Sequence, residues 1–387
     1  MKLLLTTESS IQFVIFCVFC LTILVLLWYY IYYFSRISFY NAKKISSNSL
    51  PPASIILCAK NEGHNLPEFL PLILSQKYPE YEVVAVNDCS WDNTAEILSG
   101  FEEKYKHLKV ITIKEDNRHR HGKKFAVMVG IKGATYEHLL FTDGDCKPES
   151  ELWLSKMIQG FSEPENKNDP ETEIVLGYSK YEKLTGLLNS FIRFDTFHIA
   201  LQYLSFAIAG VPYMGVGRNM AYKKSLFFKH KGFSTHYHIE SGDDDLFINK
   251  AASPTNTQIE ISPEGFTVSR AKKSWKSWIE QKRRHLTTWK EYKTSDKIRL
   301  GVYSFTQALF WMLFIILVVF QYEIYFLFSL LALKLLIQFI IFNLAMKKLG
   351  EKDLLVLSLV AELFLIVFYL SLAVSNKLFQ QKIWKRV

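Results

Sequence analysis

Cysteine is scarce in this chain, and no asparagine lies in an N-x-[ST] glycosylation motif. Five of its 387 residues are cysteines. Cys17 and Cys20 form a C-x-x-C pair inside an apolar run, where packing explains them better than redox chemistry, and the others are too far apart for a zinc site (Cys58, Cys89, Cys146). The missing glycosylation motif fits a domain that never enters a glycosylating lumen.

Charge is missing from one long apolar run, residues 12–34. About 20 apolar residues are enough to span a bilayer. The run also lacks the basic start, short apolar core and small-residue cleavage site of a signal peptide, so we expect residues 1–40 to form an uncleaved transmembrane anchor. Further apolar runs predict C-terminal transmembrane helices within 300–376, about three in number (303–320, 324–346 and 354–374).

Two charged residues interrupt these C-terminal runs. Lys334 lies in the second run and Glu362 in the third. Such side chains usually face the interior of a helix bundle or reach toward the membrane interface. The sequence leaves both alternatives open.

Basic residues around the first run predict the topology. Lys2 alone precedes the run, whereas Arg36, Lys43 and Lys44 follow it, so the domain at 50–298 should be cytoplasmic. We therefore expect an integral membrane protein, with a bacterial inner membrane as its location. The basic tail, 377–387, would lie on the opposite side if all four runs span, and its side stays open.

Strand-like and helix-like patterns alternate through the first half of the middle domain. Apolar strand patterns at 53–58, 81–86, 110–113 and 138–142 are separated by amphipathic helical patterns. This alternation predicts βαβ units and a mostly parallel sheet with flanking helices, an α/β fold. Ligands of such sheets bind beyond the carboxyl ends of the strands. Asp88 and Asp143 both follow strands directly, so we expect them to face one crevice.

The Asp-Gly-Asp motif at 143–145 is the most informative feature of this edge. Residues i and i+2 of a strand project to the same side, so Asp143 and Asp145 can face one ligand. Hard divalent cations prefer one or two carboxylates together with substrate phosphates. The motif therefore suits a metal held against a diphosphate, although an ordinary turn explains it equally well when it is taken alone.

Two other motifs do not support the functions that they first suggest. The basic segment 118–124 lacks interleaved aromatic residues and is confined to one loop, so we expect no nucleic-acid partner. Its His119 and His121 suit a solvated loop better than a metal site. The glycine-rich segment 214–222 has Met220 in place of the third glycine of a dinucleotide fingerprint, and no strand pattern leads into it.

Two later segments carry further polar side chains. Asp243, Asp244 and Asp245 are adjacent, and their mutual repulsion should raise at least one pKa, as a general base requires. A helix N-terminus would explain one or two of these acids. The tryptophan-rich and basic stretch 272–290 predicts an amphipathic interfacial helix.

In this order the motifs resemble those of the family 2 glycosyltransferases, in particular the membrane-embedded branch with cellulose, chitin and hyaluronan synthases and ceramide glucosyltransferase. The resemblance covers about 54–289 together with the flanking apolar runs. It implies a GT-A type of α/β fold with transmembrane α-helices at both ends. It also implies a nucleotide-sugar donor, a UDP-sugar by expectation, and Mg²⁺ or Mn²⁺ as cofactor.

The resemblance assigns nucleotide-binding roles by position. It implies that the strand-turn ending at Asn61 and Glu62 lies against the nucleotide and that Asp88 contacts its base, although Asn87 replaces the family's first acid. Either Lys123 or Lys124 would lie near the diphosphate, within a match to the family's Gly-Lys-x-x-Ala element. Asp143 and Asp145 would be the D-x-D pair, near the ribose and phosphates, and would bind the metal.

The resemblance also assigns catalytic roles. Asp244 would be the base and Asp243 its neighbour, with a shift by one residue to Asp245 left open. Gln281 and Arg284 match the family's Gln-x-x-Arg-Trp motif, in which the arginine would neutralise the leaving diphosphate. His285 replaces the tryptophan that helps to line the acceptor path of processive synthases, so we favour single or short transfer.

The sequence therefore predicts an inverting, metal-dependent hexosyltransferase that acts on a lipid-linked or glycan acceptor at the cytoplasmic membrane face. A processive polysaccharide synthase is one alternative. A non-catalytic partner in polysaccharide assembly is the other, and the intact acids and Arg284 argue against it.

Overall fold

The computed structural model describes residues 2–41, 50–114, 122–161, 171–239 and 241–378. Arg118, His119 and His121 of the basic loop and most of the basic tail lie outside these ranges. The chain divides into two compact units, which are described separately. One comprises Met1–Phe39, Lys293–Lys347 and Glu351–Val387, and the other comprises Tyr40–Tyr292 and Lys348–Gly350.

The secondary structure follows the predicted alternation. The strands are β1 (Ala53–Ala59), β2 (Tyr81–Asp88), β3 (Leu108–Ile113), β4 (His138–Asp143), β5 (Cys146–Pro148), β6 (Ile174–Gly177), β7 (Ser179–Tyr181), β8 (Met220–Lys223), β9 (Thr257–Glu260) and β10 (Thr267–Ser269). The α-helices are α1 (Lys2–Trp28), α2 (Ser35–Ser38), α3 (Leu66–Leu74), α4 (Thr94–Glu102), α5 (Lys123–Gly133), α6 (Trp153–Gln159), α7 (Leu187–Ile208), α8 (Lys224–Lys229), α9 (Asp245–Ala251), α10 (Trp275–His285), α11 (Thr294–Val319), α12 (Ile324–Leu349) and α13 (Leu355–Leu378).

A seven-stranded sheet forms the centre of the second unit. Its order is β3-β2-β1-β4-β8-β6-β9, and β1 to β4 are parallel neighbours, as predicted. The strands β1, β2 and β4 are rich in Ile, Leu and Val because helices cover both faces of such a sheet. Gly130 lets α5 approach β1 and β2 closely, since a Cβ there would lie 2.7 Å from Ile56 Cγ2.

The strand register brings the predicted site residues to one edge of this sheet. Ala59 of β1 pairs with Asn87 of β2, and Cys58 pairs with Asp143 of β4. The strand β8 then runs antiparallel to β4. This reversal, which the sequence did not predict, carries the end of the glycine-rich segment next to the Asp-Gly-Asp turn. A three-stranded sheet, β5-β10-β7, continues from that turn.

Among its described residues, the first unit contains four helices that are long and apolar enough to cross a membrane: Ser10–Ser38, Thr294–Val319, Ile324–Leu349 and Lys352–Asn376. The predicted apolar runs therefore all form helices. The first helix changes to a π-helix at Tyr29–Phe34. The helix α11 begins at Thr294, a few residues before the predicted start of the C-terminal helices.

The two charges in the C-terminal runs face the interior of this unit. Lys334 and Glu362 are buried and form an ion pair, with 3.2 Å between Nζ and Oε2. The other carboxylate oxygen of Glu362 accepts hydrogen bonds from Tyr30, Tyr303 and Gln307. This network joins α11, α12, α13 and the π-helix, so the interior alternative holds and the interface alternative does not.

Candidate active site

The loops after β1 and β2 are tied together at the carboxyl edge of the sheet. Asn61 adopts a left-handed backbone conformation, with φ of 56°, which asparagine tolerates better than most residues. Its N–H donates to Ser90 Oγ at 2.9 Å, and its Oδ1 accepts from the Trp91 N–H at 3.0 Å. These two hydrogen bonds therefore hold the loop after β1 against the loop after β2.

Asp88 ends β2 with its carboxylate buried at this edge. One oxygen lies 3.8 Å from Lys60 Nζ. The other, Oδ1, has no hydrogen-bond partner among the residues that the structure describes. Because buried polar atoms normally have partners, this oxygen is available to accept a further hydrogen bond.

The Asp-Gly-Asp turn closes tightly against the loop after β1. The Gly144 N–H donates to the Cys58 carbonyl oxygen at 2.9 Å, and a Cβ on Gly144 would lie 2.8 Å from Glu62 Cγ. Glycine is therefore required between the two acids. Burial raises the pKa of Glu62 to about 7, its hydrogen bond with Asn65 opposes this, and the charges of Asp145 and Asp143 add to it.

A group of potential metal ligands lies at this turn. Ligand atoms of Asp143, Asp145 and Cys146 lie within 4.8 Å of one another. The two carboxylates are the oxygen donors that Mg²⁺ and Mn²⁺ prefer, whereas a thiol suits softer metals. The Cys146 Sγ is buried and contacts Ser269 Oγ at 2.9 Å, and burial raises the pKa of the thiol well above its ordinary value. The carboxylates therefore fit the predicted cation.

Lys123 connects the two acidic segments. Its ammonium lies 2.9 Å from Asp143 Oδ1 and 3.4 Å from Asp243 Oδ2. Burial opposes the charge on Lys123, but Asp143, Asp243 and Asp244 outweigh it and hold the pKa of the ammonium well above its ordinary value. Burial also raises the pKa of Asp143, and Lys123 counteracts this. Asp143 and Asp243, about a hundred positions apart in the chain, thus both contact Lys123.

Lys124 points elsewhere. Its ammonium donates to the carbonyl oxygens of His236, at 2.5 Å, and Ile239, at 2.8 Å. Burial lowers its pKa to about 8. Of the two lysines assigned to the diphosphate, only Lys123 reaches the acidic groups. Lys124 instead holds the segment that leads into the acidic run, and the sequence did not distinguish the two.

The three adjacent aspartates have different surroundings. Asp243 faces Lys123. Asp244 caps α9: its Oδ1 accepts from the Asp245 N–H and its Oδ2 from the Gly217 N–H, both at 2.8 Å. Asp245 Oδ2 accepts from Tyr292 at 2.8 Å and from Thr288 at 2.6 Å, and its Oδ1 accepts from a backbone N–H.

The same surroundings raise the pKa of Asp244. Burial raises its pKa to about 7, and the neighbouring charges of Asp243 and Asp245 contribute further. Asp244 remains partly exposed. A Cβ on Gly217 would lie 3.4 Å from Asp244 Oδ2 and 3.5 Å from Lys123 Nζ, so the carboxylate and the ammonium both lie next to Gly217. Asp143 and Asp244 therefore lie on one side of the domain.

The predicted amphipathic helix is α10, which carries Gln281 and Arg284. Gln281 is half-buried and Arg284 is exposed. Between them Lys282 is buried and pairs with the buried Asp195 of α7. Partial desolvation lowers the pKa of His285, and nearby cations that include Lys282, Arg284 and Lys123 lower it further.

Sequence reasoning missed Arg218. This residue lies in the glycine-rich segment, two positions before the start of β8, and its guanidinium donates to Ser269 Oγ at 2.9 Å. It also stacks over the ring of Tyr181, with 4.5 Å to the centroid. Its charge acts on Asp143 and Asp145. The sequence signal that could have indicated Arg218 was its position after two glycines. A glycine-rich segment allows its side chains to come close to a neighbouring turn.

Comparison with known proteins identifies the domain. The model of the family "Glycosyl transferase family 2" matches residues 54–172. The chain carries a family 2 glycosyltransferase domain. This confirms the resemblance and the predicted enzyme class at the level of the domain.

Relatives and solved structures agree with this family. The chain is 27% identical to "Probable glycosyltransferase YdaM" of Bacillus subtilis over 61% of this chain and 54% of that protein. It is 33% identical to a poly-beta-1,6-N-acetyl-D-glucosamine synthase of Staphylococcus epidermidis over 35% of this chain and 30% of that protein. The chain thus spans about half, or less, of the length of these relatives.

A solved structure shares the fold. It is a mannosyltransferase from Pyrobaculum calidifontis in complex with GDP-Man and Mn2+, with a TM-score of 0.58 and 17% identity. The similarity covers 96% of this chain and 99% of that chain. The predicted α/β fold with a mainly parallel sheet is confirmed.

Proposed function

We propose that this chain transfers a sugar from a nucleotide-diphosphate sugar to an acceptor hydroxyl, with inversion at the anomeric carbon. The observation that carries the proposal is the ammonium of Lys123, which contacts both Asp143 and Asp243. Metal-binding acids and the acidic run therefore border one space. Donor phosphates and an attacking hydroxyl need this arrangement, because both must reach the same anomeric carbon.

Asp143 and Asp145 would hold Mg²⁺ or Mn²⁺. When bound, such a cation would neutralise negative charge on the leaving diphosphate. The fit of the two carboxylates supports this assignment, and so does the presence of Mn2+ and GDP-Man in the Pyrobaculum calidifontis mannosyltransferase of similar fold. Lys123 would contribute a second positive charge to the diphosphate, and Asp88 would accept a hydrogen bond from the base through its unpartnered oxygen.

Asp244 is the proposed general base. Its pKa of about 7 lets it accept a proton at neutral pH, and its partial exposure leaves it accessible to a hydroxyl. Asp245 is less suited because Thr288, Tyr292 and a backbone N–H already occupy its oxygens. Asp243, which pairs with Lys123, is the alternative base.

Arg284 is the proposed partner of the departing diphosphate. It is exposed at the end of α10, and its guanidinium can bind two phosphate oxygens at once. Gln281, one helical turn earlier, would support the same ligand. Charge placed where it develops in the transition state lowers the barrier, since the groups need no reorganisation during the reaction.

The acceptor is proposed to be lipid-linked or a glycan at the cytoplasmic membrane face. The four apolar helices support a membrane location, and the bias of basic residues toward the middle domain supports the cytoplasmic side. The name of the staphylococcal relative favours a second candidate, a processive polysaccharide synthase. Product length would separate the two: single transfer yields one added sugar, and processive synthesis yields long chains without short intermediates.

The direct test is nucleotide release by the purified full chain in detergent. UDP- and GDP-sugars are supplied singly, with Mn²⁺, with Mg²⁺ or with EDTA. We expect release with one donor class, dependent on the cation and abolished in Asp145→Ala. Glu151→Gln is the matched control, because this exposed carboxylate pairs with Lys77 on the surface. Absence of cation-dependent release with every donor would overturn the proposal.

A further inference from the structure

The third aspartate of the acidic run makes contacts that neither proton transfer nor metal binding explains. Asp245 is buried, and its Oδ2 accepts hydrogen bonds from the hydroxyls of Thr288 and Tyr292, at 2.6 and 2.8 Å. These partners are 43 and 47 positions away along the chain. Hydrogen bonds to a buried carboxylate are strong, so they fix the segment that donates them.

That segment directly follows the helix that carries Arg284. The Thr288 hydroxyl also lies 2.9 Å from the carbonyl oxygen of His285, the last residue of α10. The single hydroxyl proton of Thr288 is closer to Asp245, so the short turn from His285 to Thr288, rather than a chain of hydrogen bonds, links Asp245 to the residue next to Arg284. Asp245 itself is the first residue of α9 and directly follows Asp244.

A second contact holds the same helix from another direction. Lys282, two positions before Arg284, forms its buried ion pair with Asp195 of α7. Trp278 is fully buried one turn earlier. The body of α10 is thus fixed to α7, and its end is fixed to the acidic run. The position of Arg284 relative to Asp244 depends on the attachment of the helix end to the acidic run.

We propose that Asp245 is a positioning residue that sets Arg284 at a fixed distance from Asp244, through Thr288 and Tyr292. It touches neither donor nor acceptor. The inference rests on the proposed function, because Arg284 acts on the leaving diphosphate there. Misplacement of a reacting group by about 1 Å can slow catalysis roughly 100-fold, so a small loosening of this attachment is enough to be measured.

The test uses Thr288→Val and Tyr292→Phe, which remove the two hydroxyls with little change of shape. We expect each to lower kcat about tenfold and the double variant about 100-fold. Thr288→Ser keeps a hydroxyl and should restore most of the rate. Tyr203→Phe is the matched control, since Tyr203 is a buried tyrosine whose hydroxyl donates to the Gly177 carbonyl oxygen.

The decisive measurement combines these variants with Arg284→Met. If Asp245 acts through Arg284, the hydroxyl changes should have little further effect on kcat once Arg284 is gone. A purely structural role would instead multiply the two losses, and this result would overturn the inference. Asp245→Asn keeps one acceptor oxygen and should retain part of the rate, whereas abolition would make Asp245 the base.

A second readout does not require turnover. Affinity for a nucleoside diphosphate with Mn²⁺, measured by titration, should fall in Arg284→Met and in the Thr288→Val, Tyr292→Phe double variant, and it should fall no further when they are combined. Wild-type protein that binds the diphosphate but transfers no sugar would count against the proposed function alone. Independent, additive losses of affinity would count against the positioning role alone.

Discussion

Transfer should depend on pH through Asp244. Burial and the charges of Asp243 and Asp245 raise its pKa to about 7, while Lys123 and the Gly217 N–H oppose the rise. Only the ionised carboxylate accepts a proton. A base with this pKa is roughly 90% ionised at pH 8, about half ionised at pH 7 and roughly 10% ionised at pH 6. The rate should therefore fall about tenfold from pH 8 to pH 6, and about tenfold for each further unit.

The measurement is kcat/KM for the donor between pH 5.5 and 8.5, about the range in which the stated pKa can be observed. This quantity reports ionisation in the free enzyme, to which the structure corresponds. Asp244→Asn should lower the rate by roughly 10²- to 10⁴-fold and remove the acidic limb, because no titrating base remains. Nucleotide binding should change little.

Glu62 provides the necessary control. Its pKa is also about 7, and it lies beside the Asp-Gly-Asp turn. Glu62→Gln should keep the acidic limb if Asp244 is responsible for it. A flat profile in the wild type, or a limb that survives in Asp244→Asn, would refute the assignment. A limb that survives in Asp244→Asn but disappears in Asp243→Asn would move the role of base to Asp243.

Three further outcomes follow from the contacts described above. Lys123→Gln removes the cation beside Asp143, so affinity for a nucleoside diphosphate should fall about tenfold by titration and Lys123→Arg should recover part of it; unchanged affinity in Lys123→Gln would contradict the role at the diphosphate. Asp145→Ala should weaken Mn²⁺ binding, measured by electron paramagnetic resonance of the free ion, and equal binding would exclude it as a ligand. Lys334→Met or Glu362→Gln alone leaves the other buried charge without its partner. Each should lower the free energy of unfolding of the first unit by about 3–5 kcal/mol. The double variant should lose less than the sum, as thermal unfolding in detergent would show, and strict additivity would mean that the pair does not interact.

Much of the architecture was predictable because it depends on local patterns. Strands at 53–58, 81–86 and 138–142 correspond to β1, β2 and β4, since continuous apolar runs bounded by turn residues are typical of buried strands. The antiparallel β8 was not predicted. A strand of only four residues shows little periodicity in the sequence. Its pairing with β4 determines its conformation.

The site shows the same division. The sequence indicated Asp143, Asp145 and the acidic run by residue type and spacing. It did not indicate that Lys123 faces acids whereas Lys124 faces carbonyl oxygens. Two adjacent lysines at the start of a helix differ only in the direction in which their side chains point. Arg218 was overlooked for a similar reason: its partners come from distant strands.

The amino-acid order alone determined the four apolar helices, the parallel strands and the residue types at the carboxyl edge, because each of these follows from patterns within about twenty residues. Tertiary structure alone decided which aspartate is accessible, which lysine meets the acids, and that Lys334 and Glu362 form a buried pair. Those choices depend on side chains far apart in the chain, whose meeting is set by packing and charge compensation in the folded protein.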